Sequence, residues 1–256
     1  MTEPVRVEVT RRDHVATLTL HGEKSINIMG RALMEALLQA GEALQRDAEL
    51  RLVVLTGAPG RGFIGGAHIA EMAELTPETA RDYITRLHQV CRLFRALPVP
   101  SIARIEGYCL GGGMEVAAAC DLRIGAAESQ YGMPEVRVGI PSVIEARLLP
   151  TLIGWGRTRE LLYTGRVIGA AEAGRIGFLE RVAPAGGLDS ALQPWVDDIL
   201  RADPAAIRAQ KRLIEDWLET PPAVGIQASV DAFAAAFRGE APTRRLRAFL
   251  RRGPGE

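Results

Sequence analysis

The chain is predicted to be an α/β protein with a helical C-terminal part, and three features of the sequence support this. Two segments, 52–69 and 102–121, pass from a short apolar run through a glycine-rich turn into a helix-like stretch. Alternating apolar residues precede them over 5–20. The last quarter of the chain is rich in Ala, Arg and Leu and reads as helix almost throughout. Strands that alternate with helices predict an α/β body over 1–192, and 193–256 is predicted to be a separate helical region.

The elements of the body follow from the spacing of apolar residues. Alternation over 5–20, interrupted by the turn RRDH, predicts two antiparallel strands. Short apolar runs predict buried strands, and apolar residues that recur every three or four positions predict helices. The further strands are predicted to begin at 52, 102 and 122. The helices are predicted over 30–48, from about 69, over 78–97, where Pro98 and Pro100 end the pattern, and over 157–164.

Composition narrows the classes of function. The 256 residues carry 31 basic and 31 acidic side chains, so the net charge gives no support for a nucleic-acid or membrane-surface partner. No apolar run approaches the ~20 residues of a membrane span, and the N-terminus has no apolar signal core. The three cysteines are unpatterned and lie in apolar runs, which indicates buried thiols in a reducing compartment. A cytoplasmic protein is therefore expected.

The stretch 102–121 carries the clearest sign of chemistry. It passes from an apolar strand through Gly111, Gly112 and Gly113 into a helix whose first turn contains Glu115. Glycines allow positive φ and let another group approach the backbone closely. The free N–H groups and the dipole of a helix N-terminus favour an anion, or an oxygen that becomes anionic. Glu115 is thus a candidate acid or base beside a candidate oxyanion site. The alternative is that the glycines only permit close helix–sheet packing.

Other motifs point less strongly to function. The segment 60–65 formally fits GxGxxG, but a long helix follows it where a dinucleotide-binding unit would have its next strand. The phosphate-loop motif GxxxxGK[ST] and the serine-hydrolase motif GxSxG do not occur. None of the four histidines pairs with another at metal-ligand spacing, so no metal site is predicted. Glu135 follows Pro134 and is expected to be a loop or strand-end carboxylate.

Three blocks of sequence together resemble the crotonase, or enoyl-CoA hydratase/isomerase, superfamily. They are FIGGA at 63–67, GYCLGGGMEVAAACD at 107–121 and YGMPEVRVGIP at 131–141, and their order and spacing match. The resemblance covers nearly the whole chain. It implies a crotonase-type spiral of repeated ββα units over 1–192, which would hold an acyl-CoA site, and a C-terminal α-helical trimerisation region over 193–256.

The resemblance implies a joint purpose for the two glycine-rich turns. The thioester carbonyl oxygen of an acyl-CoA would accept the backbone N–H groups of Gly65 and Gly112, which stabilise the negative charge that collects on that oxygen. Glu115 and Glu135 fall on the positions of the two catalytic glutamates of hydratases. We expect Glu115 to activate water for attack at C3 and Glu135 to deliver a proton to C2, and the pair can share both roles.

The expected reaction is hydration of a 2-enoyl-CoA to a 3-hydroxyacyl-CoA without a metal or redox cofactor, since coenzyme A is part of the substrate. Two alternatives stay open. A Δ3,Δ2-enoyl-CoA isomerase or an acyl-CoA hydrolase would use a single glutamate, and a non-catalytic member would bind acyl-CoA without turning it over. The presence of both glutamates favours the hydratase.

The resemblance also implies how CoA is bound and how the protein assembles. The KxxN-like segment that contains Lys24 and Ile26 is expected to hold CoA, mainly through main-chain atoms. The C-terminal sequence around Phe249 and Arg252 resembles the tail that meets CoA bound to a neighbouring subunit. The helical end is expected to form homotrimers, which often pair into hexamers.

Two positions depart from the family's pattern. Where many hydratases carry a glycine-rich segment after the second glutamate, this chain reads SVIEAR over 142–147, which adds a third carboxylate, Glu145. We expect Glu145 to form an ion pair with Arg147 or another neighbour. His68 stands where an acidic residue is common in the family. The bulky residues of 142–147 are expected to reshape the acyl pocket, so the acyl chain is not predicted.

Overall fold

The computed structural model describes residues 4–23 and 26–252, apart from the side chain of Arg252. The described chain divides into two compact units, one that extends to Val196 and one that begins at Asp197. Strands and helices alternate in the first unit, and the second contains helices. The predicted fold class is confirmed. The assignment of 193–256 to oligomerisation stays a prediction.

A six-stranded sheet forms the base of the α/β body. Its strands are β1 Arg6–Arg12, β2 Val15–His21, β3 Leu52–Gly57, β4 Ser101–Ile105, β6 Leu122–Ala126 and β9 Arg181–Ala183. They are arranged in the order β1-β2-β3-β4-β6-β9. β1 and β2 form the predicted antiparallel pair, in which Arg6 lies opposite His21. All other neighbours in this sheet are parallel.

A second sheet of three short strands connects the two glycine-rich segments. It contains β5 Tyr108–Leu110, β7 Gln130–Gly132 and β8 Val167–Gly169, in the order β5-β7-β8. Ile64 forms an isolated parallel bridge with Cys109 of β5, which attaches the first glycine-rich segment to the second. Strands of three residues show no detectable alternation, so the sequence analysis did not predict β5 or β8.

The helices of the first unit begin and end at residues with clear physical reasons. They are α1 Arg31–Gln45, α2 Ile69–Ala73, α3 Pro77–Ala96, α4 Gly112–Ala119, α5 Leu149–Thr164, α6 Ala170–Arg175 and α7 Leu188–Arg201, of which the last runs past Val196. Thr76 and Thr79 form a capping box at the start of α3. α1 and α3 pack so closely at Gly41 that a methyl group on this residue would overlap the side chain of Leu93.

Two segments near the predicted site differ from the sequence-based expectation. Pro150 lies in the first turn of α5, so this helix begins at Leu149 and is longer than the helix predicted over 157–164. Glu135 begins a 3₁₀ helix, Glu135–Val138, and is neither in a plain loop nor at a strand end. Gly139 ends that 3₁₀ helix in the left-handed conformation, with φ of 82°.

The second unit contains α8 Pro204–Glu219, α9 Pro222–Ala236 and α10 Ala241–Arg252. Asp203 caps α8 by accepting the N–H groups of Ala205 and Ala206. Within the described residues of both units, no helix combines the length and apolar character needed to cross a membrane. The apolar residues that recur on α9 are exposed, including Ile226, Val230 and Phe233.

Candidate active site

The N-terminus of α4 is built by the glycines at 111–113. Gly111 caps the helix with φ of 53° and ψ of −124°, a conformation that residues with a side chain avoid. Its N–H donates to the carbonyl of Gly132 across 2.8 Å, which ties the start of α4 to β7. α4 is buried on all sides, as expected for a helix that is apolar all round. Glu115, in its first turn, is only 4% exposed.

The same glycines allow two other groups to approach α4 closely. A methyl group on Gly111 would overlap Oε1 of Glu135, and one on Gly113 would overlap the carbonyl oxygen of Ile64. The carboxyl group of Glu135 therefore lies directly over the first residue of the turn. Both predicted catalytic glutamates thus lie at the N-terminal end of α4, although 20 positions separate them in the sequence.

Glu135 is held by the segment that follows it. The hydroxyl of Ser142 donates to Oε2 of Glu135 across 2.9 Å. Oε1 of the same carboxyl faces Gly111. One oxygen is thus fixed by a side-chain donor while the other is directed to the N-terminus of α4.

Glu145 lies in the buried interior beside the pair, on the 3₁₀ helix Ile144–Leu148. Its Oε1 is 2.8 Å from Nδ1 of His88 on α3. The sequence led us to expect that Glu145 would pair with Arg147 or another neighbour. In the structure its partner is His88, because the 3₁₀ helix turns the glutamate inward towards α3.

The backbone of this 3₁₀ helix also contacts the other glutamate. The N–H of Ala146 donates to Oε1 of Glu115 across 3.0 Å, and also to the carbonyl of Val143 at 3.0 Å. Ile144 adopts φ of 42°, which is unfavourable for a β-branched residue and costs about 1–2 kcal/mol. The strained turn places Glu145 and the Ala146 N–H in the interior.

The surroundings of Glu115 and Glu135 favour the protonated form of each carboxyl group. Burial, reinforced by the nearby Glu135 and Glu145 and opposed by the Ala146 hydrogen bond, raises the pKa of Glu115 to about 8. Burial also raises the pKa of Glu135, against the hydrogen bond from Ser142. On α3, burial and then Glu145 and Glu115 raise the pKa of the Cys91 thiol. A carboxyl group with a pKa near neutrality can serve as an acid or a base at physiological pH.

Gly65 lies at the end of the first glycine-rich segment. Ile64 is joined to β5 by two hydrogen bonds, one from its N–H to Tyr108 and one to its carbonyl from Leu110, both 3.0 Å. The Gly65 N–H donates to the carbonyl of Asn27 across 2.8 Å. A methyl group on Gly65 would overlap the side chain of Ile26. The predicted oxyanion donor is thus already hydrogen bonded within the chain.

The residues predicted to bind CoA lie in different parts of the molecule. Ile26 borders a pocket of about 480 Å³ that is lined by residues of 22–33 and 67–73. Lys24 lies outside the described residues, as does the side chain of Arg252. Phe249 is exposed on α10 in the second unit. These assignments stay predictions.

Three residues of the site were missed by the sequence analysis. Ser142 and Ala146 act through a hydroxyl and a backbone N–H, for which their sequence context gave no signal. His88 gave no signal of its contact with Glu145, because the two residues are 57 positions apart. Across residues 4–23 and 26–252, no group of three or more His, Cys, Asp or Glu side chains is arranged to hold a metal ion.

Comparison with known proteins places the chain in a family. A sequence model of the enoyl-CoA hydratase/isomerase family matches residues 10–254. The chain belongs to the enoyl-CoA hydratase/isomerase family. A crotonyl-CoA hydratase of Syntrophomonas wolfei is 32% identical over 94% of this chain and 93% of that protein. A short-chain-enoyl-CoA hydratase of Clostridium acetobutylicum is 29% identical over 95% of this chain and 94% of that protein.

Solved structures of other proteins share the whole fold. The crystal structure of an enoyl-CoA hydratase from Bacillus anthracis superposes with a TM-score of 0.90 at 31% identity, covering 99% of this chain and 98% of that one. The structure of Pseudomonas aeruginosa DspI superposes with a TM-score of 0.91 at 29% identity, covering 98% of this chain and 96% of that one. The family and crotonase fold predicted from the three sequence blocks are confirmed.

Proposed function

We propose that this member of the enoyl-CoA hydratase/isomerase family adds water to a 2-enoyl-CoA and forms a 3-hydroxyacyl-CoA. The observation that carries the proposal is that Glu115 and Glu135 both lie at the N-terminal end of α4, with the Glu135 carboxyl over Gly111. Hydration needs one group to take a proton from water as it attacks C3, and one to give a proton to C2. Two adjacent carboxyl groups, one ionised and one protonated, meet that need.

The raised pKa values bear on which glutamate holds the proton. With a pKa of about 8, Glu115 is protonated in most molecules at pH 7. Water activation by Glu115, as first expected, therefore requires its proton to pass to Glu135 before attack. With the roles reversed, Glu115 would hold the proton that is delivered to C2, and Glu135 would activate the water. The charge of Glu135 raises the pKa of Glu115, so a single proton on the two carboxyl groups would serve either order.

The enolate formed by attack at C3 places negative charge on the thioester oxygen. We assign its stabilisation to the N–H groups of Gly112, at the start of α4, and Gly65. Loss of one such donor typically costs about 3–4 kcal/mol of transition-state stabilisation. Because the Gly65 N–H donates to Asn27, the thioester oxygen would have to share that N–H with the Asn27 carbonyl or replace it.

We assign the pocket beside Ile26 to part of the CoA moiety. Its lining combines apolar residues with His68, Glu23 and Glu71, and it lies next to the segment that ends in Gly65. Lys24, Phe249 and Arg252 stay candidates for further contacts with CoA. We propose that the protein forms a homotrimer or homohexamer, which the exposed apolar residues of α9 support.

The experiment mixes the purified protein with crotonyl-CoA, follows loss of the conjugated-thioester absorbance, and identifies the product by mass spectrometry. Gain of one water with CoA still attached supports the hydratase. Release of free CoA would indicate the hydrolase instead. In a parallel assay with a 3-enoyl-CoA as substrate, migration of the double bond without a change in mass would indicate the isomerase. Binding of acyl-CoA without any product would point to the non-catalytic alternative.

A further inference from the structure

The segment 142–146 touches both glutamates of the site. The Ser142 hydroxyl donates to Oε2 of Glu135 across 2.9 Å, and the Ala146 N–H donates to Oε1 of Glu115 across 3.0 Å. We call this segment the bridging turn. Its two contacts fix one oxygen of each carboxyl group, so the position of the turn decides how the carboxyl groups face each other.

The bridging turn is unfavourable by itself. Ile144, at its centre, has φ of 42°, a conformation that a β-branched residue holds only when its surroundings enforce it. Val143, which precedes it, is 40% exposed. An attachment to the rest of the protein is therefore required to keep the turn in place.

One such attachment is the contact between Glu145 and His88, and the packing of Ile144 and Ala146 against the core is another. The side chain of Glu145 is 3% exposed, and its Oε1 lies 2.8 Å from Nδ1 of His88. His88 is on α3, a helix of 20 residues whose buried face packs into the core. The pair thus joins the strained turn to a rigid element. Burial of a carboxylate costs free energy unless a hydrogen-bonding partner such as His88 is present. The contact therefore restricts where Glu145, and with it the turn, can lie.

We propose that Glu145 and His88 form a positioning pair that fixes the bridging turn, and that the turn in its place holds Glu115 and Glu135 in the geometry for water addition. The inference rests on the proposed hydratase function. Neither residue of the pair is a catalytic residue, since each acts through the turn. A displacement of about 1 Å in a reacting group can cost up to about 10²-fold in rate, so the pair should affect turnover more than acyl-CoA binding.

The test uses the full-length variants H88A, E145A and E145Q in crotonyl-CoA hydration. We expect H88A and E145A each to lower kcat by about 10-fold to 100-fold, with the Kd for a non-reactive acyl-CoA within about twofold of the parent. The double variant should be no slower than the slower single variant, because both changes release the same turn. E145Q can still hydrogen bond to His88 and should retain more activity than E145A.

A matched control lies two positions away on the same helix. Arg86 of α3 pairs with Glu35 at the surface, 2.5 Å apart, and far less of that pair is buried. R86A also removes an ion pair from α3 and should leave kcat unchanged. Additive losses in the double variant, or equal losses in R86A, would overturn the positioning role.

A second readout does not depend on catalysis. The Ala146 amide is observed by NMR in the parent and in H88A, which changes a half-exposed side chain and should fold even where E145A does not. Loss of hydrogen-exchange protection and an upfield shift of the amide proton in H88A support the pair. An unchanged amide overturns it. If the parent hydrates no enoyl-CoA, the proposed function fails and this readout still decides whether the pair positions the turn.

Discussion

The backbone N–H of Ala146 lies 3.0 Å from Oε1 of Glu115 and donates a hydrogen bond to it. The bond joins a buried helix to a strained turn 31 positions later in the chain. A backbone donor favours the ionised form of a carboxyl group, yet the pKa of Glu115 is raised to about 8 because burial outweighs that donor. The site therefore keeps a carboxyl group poised between its two protonation states.

This raised pKa predicts how stability depends on pH. Folded Glu115 binds its proton more tightly than the unfolded chain, whose carboxyl has an ordinary pKa of 4.5. Its contribution to the free energy of unfolding therefore falls as the pH rises from about 4.5 to about 8, and is constant above that. We expect E115Q to be more stable than the parent at pH 9, by on the order of 5 kcal/mol, and nearly equal at pH 4.5.

Urea unfolding at the two pH values measures this difference. E42Q changes an exposed glutamate of α1 and controls for the loss of one negative charge. Equal effects of E115Q at pH 4.5 and pH 9 would contradict the raised pKa.

The position of Glu135 over the glycine turn predicts the effect of a single methyl group. Gly111→Ala introduces a side chain at positive φ and pushes into Oε1 of Glu135, so we expect hydratase activity to fall at least about 10²-fold. Gly186→Ala also places a side chain at positive φ, but nothing lies within 4 Å of the added group. It should lose stability without losing specific activity. Similar specific activity in both variants would show that the carboxyl over Gly111 is unimportant for turnover.

Arg123 stabilises the C-terminal end of α4, and its contacts predict the effect of replacing it. It is buried, donates to the carbonyl oxygens of Cys120 and Phe178 at 2.8 and 2.7 Å, and pairs with Glu180. Arg123→Leu leaves these acceptors without their donor, and we expect a loss of about 3–5 kcal/mol in the free energy of unfolding. Arg157→Ala, which breaks an exposed pair with Glu160, should cost less than about 1 kcal/mol. Chemical denaturation of both variants tests this, and equal losses would refute it.

The exposed apolar side chains of α9 predict an assembly. Phe233 is 71% exposed and its ring lies 5.2 Å from that of Phe237. Aromatic pairs left in solvent mark contact surfaces in soluble proteins. We expect the parent to sediment as a trimer or hexamer and Phe233→Asp to sediment as a monomer. Val9→Asp, at an exposed position of β1, is the control. A parent that is monomeric in sedimentation velocity would refute the oligomer.

Much of the fold and part of the site could be predicted from sequence, for physical reasons. The glycine turn at 111–113 and Glu115 are neighbours in the chain, so one local pattern revealed both a helix start and a carboxyl group beside it. The partnership of Glu115 with Glu135 needed the family resemblance, because only β7 and the following 3₁₀ helix bring them together.

The remaining parts of the site depend on tertiary contacts. Glu145 was expected to pair with Arg147 or another neighbour, but a left-handed conformation at Ile144 turns it towards His88. The hydrogen bond from Gly65 to Asn27 depends on two loops that meet in space. Positive φ at a β-branched residue and the direction of a backbone N–H have no local signature in the sequence.

The most direct test of the central claim is the rate of crotonyl-CoA hydration by the parent, E115Q and E135Q, measured with product identification. Glutamine preserves the size of each side chain and removes its ability to transfer a proton. We expect the parent to add one water, and each variant to be slower by at least about 10²-fold while still binding acyl-CoA. E106Q, at an exposed position after β4, should match the parent. Loss of activity in only one of the two variants, or in neither, would contradict a hydratase that uses both carboxyl groups.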